Sequence, residues 1–236
     1  MSERFERTEM LFGEEAVSKL QNSRVAVFGI GGVGGHCAEA LVRSGIGAID
    51  LIDNDTVSVS NINRQIVALD STVGRYKVDV AKERFLDISP STVINTYKTF
   101  YLPETSSLFD FGNYDYVVDA IDTVSGKIQL IMQAEEASVP IISCMGTGNK
   151  MDPTMLEIED IYKTSVCPLA RVMRNELKKR GVRRLKVLYS KEPPLIPHFQ
   201  PRSSSDVRRS TPASNSFVPA CAGLIIASHV IKELIK

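Results

Sequence analysis

The stretch RVAVFGIGGVGG, residues 24–35, decides the fold. After Arg24, residues 25–28 are apolar and include two β-branched valines, which predicts a short buried strand of a parallel sheet. Gly29, Gly31 and Gly34 then form a G-x-G-x-x-G pattern, Gly32 adds a fourth glycine, and a helical pattern follows. Backbone amides at such a helix start can approach a phosphate closely because no Cβ intervenes. The stretch predicts a nucleotide-binding turn, with a purely structural tight turn as the alternative.

Apolar runs typical of strands alternate with helical patterns on the C-terminal side of this turn. The further predicted strands are AIDLID, VINTYKTF, YDYVVDAID and PIISCMG, and the helices are KVDVAKERFLDISP and SGKIQLIMQAEEASV. This alternation predicts the α/β class: a Rossmann-like, mostly parallel sheet with helices on both faces. One or two N-terminal helices precede it, and a basic C-terminal extension follows.

The chain length predicts one large domain. At 236 residues and 43% hydrophobic content, the chain can bury one substantial core. We expect a single domain with N-terminal helices at 1–22, a nucleotide-binding core at 23–150 and a C-terminal part at 151–236. The C-terminal part is predicted to contain a strand in TMLEIEDIYK, a basic helix ending near Gly181, a long mobile loop at 190–215 and a buried final helix.

Charge is balanced overall but unevenly distributed. Lys+Arg and Asp+Glu both total 28, so the net charge indicates no partner. Between Arg171 and Arg209, however, twelve basic residues face three acidic ones. Such a cluster attracts a polyanion such as RNA, although a solvated helix face is the alternative. The candidate RNA-contacting residues are Arg174, Lys178, Lys179, Arg180, Arg183 and Arg184.

The cysteines and termini bear on the compartment. Four widely spaced cysteines form no CxxC pair, which disfavours a zinc ribbon or a disulfide framework and favours reduced thiols in the cytoplasm. The charged N-terminus lacks the apolar centre of a signal peptide. The final apolar run is interrupted by Lys232 and Glu233 before it could span a bilayer, which leaves peripheral membrane contact open.

Polar residues after the second strand indicate which nucleotide binds. Asp53 lies 19 residues beyond the last glycine of the pattern, about where a carboxylate meets a ribose hydroxyl. A nicotinamide-dependent oxidoreductase would explain the glycines and Asp53 but nothing after them. A triphosphate explains the rest, because Arg64 and Lys77 can offset phosphate charge while Asn61 and Gln65 supply neutral donors. The pattern therefore favours ATP over NAD.

Two further residues near these strands need an interpretation. Asp122 is predicted to end the fourth strand, at the carboxyl edge where ligands of α/β proteins collect, and a carboxylate there suits magnesium. Asn63, within SNINRQ, is interpreted as structural, as a residue that tolerates an unusual backbone angle.

In this order and spacing, VAVFGIGGVGG, LIDNDTVSVSNINRQ, VGRYKVDVAKERF and VVDAID resemble the ubiquitin-activating-type (ThiF/MoeB/HesA-like) adenylation family. That family binds ATP and adenylates a carboxylate, releasing pyrophosphate. The resemblance implies that Arg64, Lys77 and Asp122 are catalytic and that Asp122 is also the magnesium ligand. The implied cofactor-binding residues are Arg7, Gly29, Gly31, Gly32, Gly34, Asp53, Asp55, Asn61 and Gln65. In the family, the arginine matched by Arg7 enters the partner subunit's ATP site, which implies an obligate homodimer.

Other segments narrow the resemblance. RFERTEMLFGEEAV, ALVRSGIG, SCMGTGNKMDPT and PLARVMRNELKKRG are similar to the tRNA threonylcarbamoyladenosine dehydratases. This implies a modified adenosine beside the tRNA anticodon as substrate, whose threonyl carboxylate is activated with ATP and captured intramolecularly with net loss of water. An activator of a ubiquitin-like sulfur carrier is the alternative, although such activators usually hold zinc with two CxxC pairs.

The same resemblance bears on partners and ions. It implies a monovalent cation, Na⁺ or K⁺, near CMGTGNK, and it is compatible with sulfur-transfer proteins as partners. DNA is not expected as a partner. The four cysteines are interpreted as structural, because an intramolecular cyclisation needs no enzyme thiol.

Overall fold

A computed structural model describes residues 3–199 and 211–236. Seven strands form one sheet: β1 Arg24–Phe28, β2 Ala48–Ile52, β3 Val93–Tyr97, β4 Tyr116–Asp119, β5 Ile141–Cys144, β6 Leu156–Asp160 and β7 Lys186–Ser190. Their order is β3-β2-β1-β4-β5-β7-β6, and all neighbours are parallel except β6, which pairs antiparallel with β7. The predicted mostly parallel α/β fold is confirmed.

Helices cover both faces of the sheet. They are α1 Glu6–Phe12, α2 Glu14–Gln21, α3 Gly34–Arg43, α4 Lys77–Ile88, α5 Val124–Glu136, α6 Pro168–Lys179 and α7 Val218–Leu234. Helices α3, α4 and α7 share one core with the sheet, whereas α5 and α6 pack on the opposite face. The final helix is buried as predicted: a Cβ on Gly223 would lie 2.4 Å from the carbonyl oxygen of Val33, so α7 and the start of α3 touch backbone to backbone.

Strand β1 shows why its sequence is almost continuously apolar. Val25 and Val27 face the core formed with α3, α4 and α7, while Ala26 and Phe28 face the other core. All four are completely buried. A parallel strand covered on both faces is mostly apolar, and the polar residue of β1, Arg24, lies at its start.

The strand order places a switch point beside β1. From β1 the chain first builds β2 and β3 on one side, and then crosses over to build β4 and β5 on the other. Ligands of open α/β sheets bind where the order reverses, outside the carboxyl ends of the strands. The glycine turn follows β1 and the Asp122 segment follows β4, so both lie at this carboxyl edge.

The structure corrects two predicted boundaries and bears on two other predictions. β4 ends at Asp119, so Asp122 does not end the strand but lies in the loop before α5. The strand predicted in TMLEIEDIYK is confirmed as β6. The loop predicted at 190–215 starts one residue too early, because Ser190 is the last residue of β7. The rest of its described residues, 191–199 and 211–215, contain no helix or strand, and residues 200–210 of that prediction lie outside the described residues. No helix in the described ranges is both long and apolar enough to cross a bilayer.

Candidate functional site

The glycine turn packs tightly against neighbouring backbone at Gly29 and Gly34, whereas the backbone at Gly31 has free space beside it. Gly29 has φ +91°, and a Cβ there would lie 2.7 Å from the Ala120 carbonyl oxygen. A Cβ on Gly34 would lie 1.8 Å from the Gly29 carbonyl oxygen. At Gly31, by contrast, the nearest atom would be Gln65 Nε2 at 3.9 Å. The backbone at Gly31 is therefore the part of the turn that a phosphate can approach.

Asp53 is fixed to this turn by its own carboxylate. Oδ2 accepts a hydrogen bond from the Ile30 N–H at 2.7 Å, and Oδ1 accepts one from the Asp55 N–H at 2.8 Å. Burial raises the pKa of Asp53, although the nearby Lys77 and the two N–H groups act in the opposite direction. The predicted ribose carboxylate thus lies directly beside the first residue after Gly29.

Lys77 is held near the Asp53 carboxylate by an ion pair with Asp55. It is the first residue of α4, its side chain is 6% exposed, and its Nζ lies 2.7 Å from Asp55 Oδ2. The Lys77 N–H also donates to the Asp55 carbonyl at 3.0 Å, while Val57 N–H donates to the Arg75 carbonyl at 2.8 Å. These bonds join the two chain segments, so the ammonium is fixed near Asp53 before any anion arrives.

Arg64 and Gln65 lie over the glycine turn. A Cβ on Gly32 would be 3.5 Å from Arg64 Cγ, which places the arginine stem against the glycines. Arg64 Nη1 donates to the Ser60 carbonyl at 2.8 Å, and burial lowers the pKa of this guanidinium. An arginine remains protonated at neutral pH in spite of such a shift.

The two neutral residues of the motif behave differently. Asn61 is buried, and its Oδ1 accepts from the Ser58 N–H at 3.1 Å, which stabilises the local turn. Gln65 is also buried, but its Oε1 has no hydrogen-bond partner within residues 3–199 and 211–236. A buried amide oxygen without a partner is costly, and a ligand donor at the turn would satisfy it.

Asn63 has a different role from the one its sequence suggests. Its backbone is not left-handed: within the described ranges, the non-glycine residues with positive φ are Ser138, Asn149 and Val166. Its Oδ1 accepts from Arg64 Nη1 at 2.8 Å, and its Nδ2 donates to the Ser214 carbonyl at 3.1 Å. The interpretation of an unusual backbone angle is therefore wrong.

Asp122 is exposed at the same edge of the sheet, where the Thr123 hydroxyl lies 3.4 Å from its Oδ1. Across the two described ranges, no cluster of three or more His, Cys, Asp or Glu side chains could hold a metal by itself. Magnesium often takes one or two protein carboxylates and completes its shell with phosphate oxygens and water. A single exposed carboxylate at the same sheet edge as the glycine turn is compatible with that pattern.

The sequence analysis missed a buried ion pair beneath Asp122. Lys127 and Asp119 are both fully buried, and Lys127 Nζ lies 3.0 Å from each carboxylate oxygen. Lys127 also donates to the Cys144 carbonyl at 2.7 Å, and the Ser143 hydroxyl donates to Asp119. A signal was present: Lys127 occupies the apolar stripe of α5 that continues at residues 130, 131 and 134.

Arg7 lies far from the glycine turn of its own chain. It is exposed on α1, whose start packs at the opposite, amino edge of the sheet. There Phe5 lies against Gly45, between α3 and β2, and the Arg4 guanidinium donates to the Ile88 carbonyl. Arg7 is thus separated from the candidate nucleotide-binding residues, which lie at the carboxyl edge.

The candidate RNA-contacting residues also lie toward the amino edge. Helix α6 begins near the loop that follows β5 and runs back to the start of β7, so its basic C-terminal end lies about 18 Å from its first residue. Arg174 donates to Thr164, and Lys179 and Arg180 pair with Glu176. The remaining candidates are exposed: Lys178, Arg183 and Arg184.

The cysteines fit the structural interpretation. Cys37, Cys144 and Cys167 are buried, and Cys221 is half-buried within α7. Burial raises the pKa of Cys37, and it raises that of Cys144 to about 12, so both thiols stay protonated near neutral pH. A protonated buried thiol is a poor nucleophile.

Comparison with known proteins places this geometry in context. The ThiF family model matches residues 5–236. A tRNA threonylcarbamoyladenosine dehydratase of Bacillus subtilis is 44% identical, covering 100% of this chain and 96% of that protein. The adenylyltransferase and sulfurtransferase UBA4 of Vanderwaltozyma polyspora is 34% identical, but over 63% of this chain and 34% of that protein. The crystal structure of the Escherichia coli tRNA N6-threonylcarbamoyladenosine dehydratase TcdA with ATP matches with a TM-score of 0.89 and 36% identity, covering 98% of this chain and 93% of that one. This chain belongs to the ThiF family.

Proposed function

We propose that this protein catalyses the ATP-dependent dehydration of N6-threonylcarbamoyladenosine in tRNA. The observation that carries the proposal is the likeness along the whole chain to tRNA threonylcarbamoyladenosine dehydratases, one of them solved with ATP. The sulfurtransferase-type relative matches only 63% of this chain, which fits a protein without CxxC pairs. The seven-stranded sheet supports a single adenylation-type domain over 1–236.

The reaction begins at the α-phosphate of ATP. A carboxylate oxygen of the threonyl group bonds to the α-phosphorus while the bond to the leaving pyrophosphate breaks. A nucleophile within the same modified nucleoside then attacks the activated carbonyl and displaces AMP, so the ring closes with net loss of one water. The enzyme contributes alignment and electrostatic stabilisation, and needs no covalent intermediate of its own.

The candidate residues divide this work by position. The phosphates would lie against the open backbone of Gly31, while Gly29, Gly32 and Gly34 allow the close packing that shapes the turn, and Asp53 with Asp55 binds the ribose side. Arg64 and Lys77 neutralise the charge that develops on the phosphates, which charge-assisted hydrogen bonds do well in a partly buried site. Asn61 and Gln65 fix the turn and supply neutral contacts. The support is that all of these groups meet at one edge of the sheet around the open backbone of Gly31.

Two ions complete the proposed site. Asp122 would hold Mg²⁺, which supplies charge neutralisation to the triphosphate when bound. A monovalent cation, Na⁺ or K⁺, would use backbone carbonyls of the loop at 144–150. In that loop the Asn149 carbonyl accepts from the Leu195 N–H and the Lys150 carbonyl accepts from Asn215, so the ion would share the loop with residues of the C-terminal part.

A homodimer accounts for the position of Arg7. The residue is too far from its own glycine turn to act there, so a second copy must receive it if it contacts ATP. The same helix carries Met10 and Leu11, which are 82% and 78% exposed. Large apolar side chains on an N-terminal helix favour burial against a partner.

The polynucleotide partner is tRNA, bound near its anticodon-loop adenosine. Lys178, Arg183 and Arg184 would contact phosphates remote from the reacting adenosine, while Arg174, Lys179 and Arg180 keep their intramolecular partners until RNA competes for them. We also propose a cytoplasmic location and sulfur-transfer proteins as partners, and we expect no role for DNA.

The proposal is tested by tRNA-dependent ATP consumption. The purified protein should release pyrophosphate with tRNA that carries threonylcarbamoyladenosine, and much less with the same tRNA lacking it. Arg64→Ala should lower the rate by about 10²–10³-fold, because one charged stabiliser of the transition state is lost. Arg75→Ala is the matched control, since this exposed arginine pairs with Glu83 outside the site. Equal rates for both tRNAs, or a wild-type rate for Arg64→Ala, would overturn the assignment.

A further inference from the structure

Arg64 is held by a neighbour whose other end reaches a remote part of the chain. One of its guanidinium nitrogens donates to the Ser60 carbonyl and to Asn63 Oδ1, both at 2.8 Å. The Asn63 amide then donates to the Ser214 carbonyl at 3.1 Å, which bridges 151 positions of sequence. A guanidinium has five N–H donors in one rigid plane, so holding one nitrogen fixes the direction of the others.

Ser214 belongs to the crossing segment, which we define as residues 211–217 and which leads into α7. This segment is also held from its other side, by Asn149 in the loop after β5. The Asn149 N–H donates to the Ala213 carbonyl at 2.7 Å, and Asn149 Oδ1 accepts from the Ala213 N–H at 2.7 Å. Asn149 adopts φ +58°, and its carbonyl accepts from the Leu195 N–H at 2.8 Å.

The far end of the crossing segment returns to the glycine turn. Asn215 donates to the Lys150 carbonyl at 2.7 Å, and its Oδ1 accepts from the Val218 N–H at the start of α7 at 2.9 Å. In that first turn of α7, Pro219 lies where a Cβ on Gly32 would approach it to 3.2 Å. The crossing segment therefore leads from the loop after β5, which it contacts, to the start of α7, whose Pro219 lies beside the glycine turn.

We propose that Asn63 is a positioning residue, which couples the Arg64 guanidinium to the docked crossing segment and so sets the phosphate contact for catalysis. This inference rests on the proposed function. Asn63 is exposed, so its hydrogen bonds add little to overall stability, but they decide where Arg64 points. A misplacement of about 1 Å at a reacting centre can lower a rate by about a hundredfold.

Three variants separate the parts of this coupling. Asn63→Ala removes both side-chain bonds. Asn63→Asp keeps an acceptor for Arg64 but loses the donor to Ser214. Asn149→Gly suits the left-handed backbone at this position, keeps the N–H to Ala213, and removes only the Oδ1 acceptor, at a residue whose described contacts do not include Arg64.

The experiment measures kcat, the ATP dissociation constant and thermal stability for each variant, with the modified tRNA as substrate. We expect Asn63→Ala to lower kcat by about 10–100-fold while ATP affinity changes less than about threefold. Asn63→Asp and Asn149→Gly should lower kcat in the same direction. A merely structural role would lower the melting temperature and leave kcat per folded molecule unchanged, and that result would overturn the proposal. Wild-type kcat for Asn149→Gly or Asn63→Asp would also overturn it, because the crossing segment would then be irrelevant to Arg64.

Hydrogen exchange provides a readout that does not depend on the reaction. ATP alone should slow amide exchange in the peptide covering 211–217 of the wild-type protein, and this protection should be lost in Asn63→Ala. Equal protection in both proteins would contradict the coupling. If wild-type protein shows the ATP-induced protection but no turnover of tRNA, the proposed function fails while the coupling stands.

Discussion

Replacing Lys127 with methionine tests the buried ion pair that anchors the Asp122 loop. Lys127 and Asp119 are fully buried, with Nζ 3.0 Å from each carboxylate oxygen. Methionine keeps an unbranched apolar chain but removes the ammonium, which leaves Asp119 with the Ser143 hydroxyl and the Ile121 N–H as donors. Removing one partner of a buried pair costs about 3–5 kcal/mol, so we expect a loss of about 4 kcal/mol of unfolding free energy.

Urea unfolding followed by circular dichroism measures the deficit, and thermal unfolding checks it. For a chain of 236 residues, about 4 kcal/mol corresponds to a melting temperature lower by about 8–16 °C. The double variant Asp119→Asn, Lys127→Met removes both charges and should recover at least half of the loss. A deficit below about 1 kcal/mol for Lys127→Met, or a double variant less stable than the single one, would refute the reasoning.

Three further predictions address the turn, the ribose carboxylate and the basic surface. Gly34→Ala should lower both stability and ATP affinity, because its Cβ would lie 1.8 Å from the Gly29 carbonyl oxygen. Gly31→Ala should lower ATP affinity while its stability stays near the wild-type value. A wild-type ATP affinity for either variant, measured by calorimetry, would contradict this. Burial raises the pKa of Asp53, so the folded wild type binds a proton at Asp53 more tightly than the unfolded chain does and loses stability as this carboxyl ionises. The stability of Asp53→Asn relative to wild type should therefore increase from about pH 4 to pH 7. A constant difference in stability over this range would argue against the prediction. Charge reversal at Lys178, Arg183 and Arg184 should weaken tRNA binding and flatten its salt dependence but spare ATP binding, whereas unchanged tRNA affinity at moderate salt would favour a solvated surface.

Much of the architecture was predictable because it depends on local pattern. Parallel strands covered on both faces are mostly apolar, so β1 and its neighbours appear as short, largely apolar runs, and glycines mark the turn where backbone approaches backbone. The end of β4 was misplaced because the local pattern does not show at which residue the strand ends. Nothing in VVDAID distinguishes the buried Asp119, which pairs with Lys127, from the exposed Asp122 three residues later.

The pairing of remote polar groups was not predictable from pattern alone. Lys77 meets Asp55 across 22 positions and Asn63 meets Ser214 across 151, and both contacts depend on how segments cross at the carboxyl edge. The basic end of α6 likewise lies at the opposite edge because this helix leads into the start of β7, which runs parallel to β5. Composition indicated a cationic surface but not its distance from the nucleotide turn.

Mass spectrometry of tRNA nucleosides tests the central claim most directly. The purified protein is incubated with ATP, magnesium and tRNA that carries N6-threonylcarbamoyladenosine, and the tRNA is then digested to nucleosides. The account predicts that the modified nucleoside loses the mass of one water, only when ATP is present, and that Arg64→Ala leaves it unchanged. An unchanged nucleoside with folded, ATP-binding wild-type protein would contradict the account, and pyrophosphate exchange stimulated by a sulfur-carrier protein in the same preparation would identify the alternative substrate.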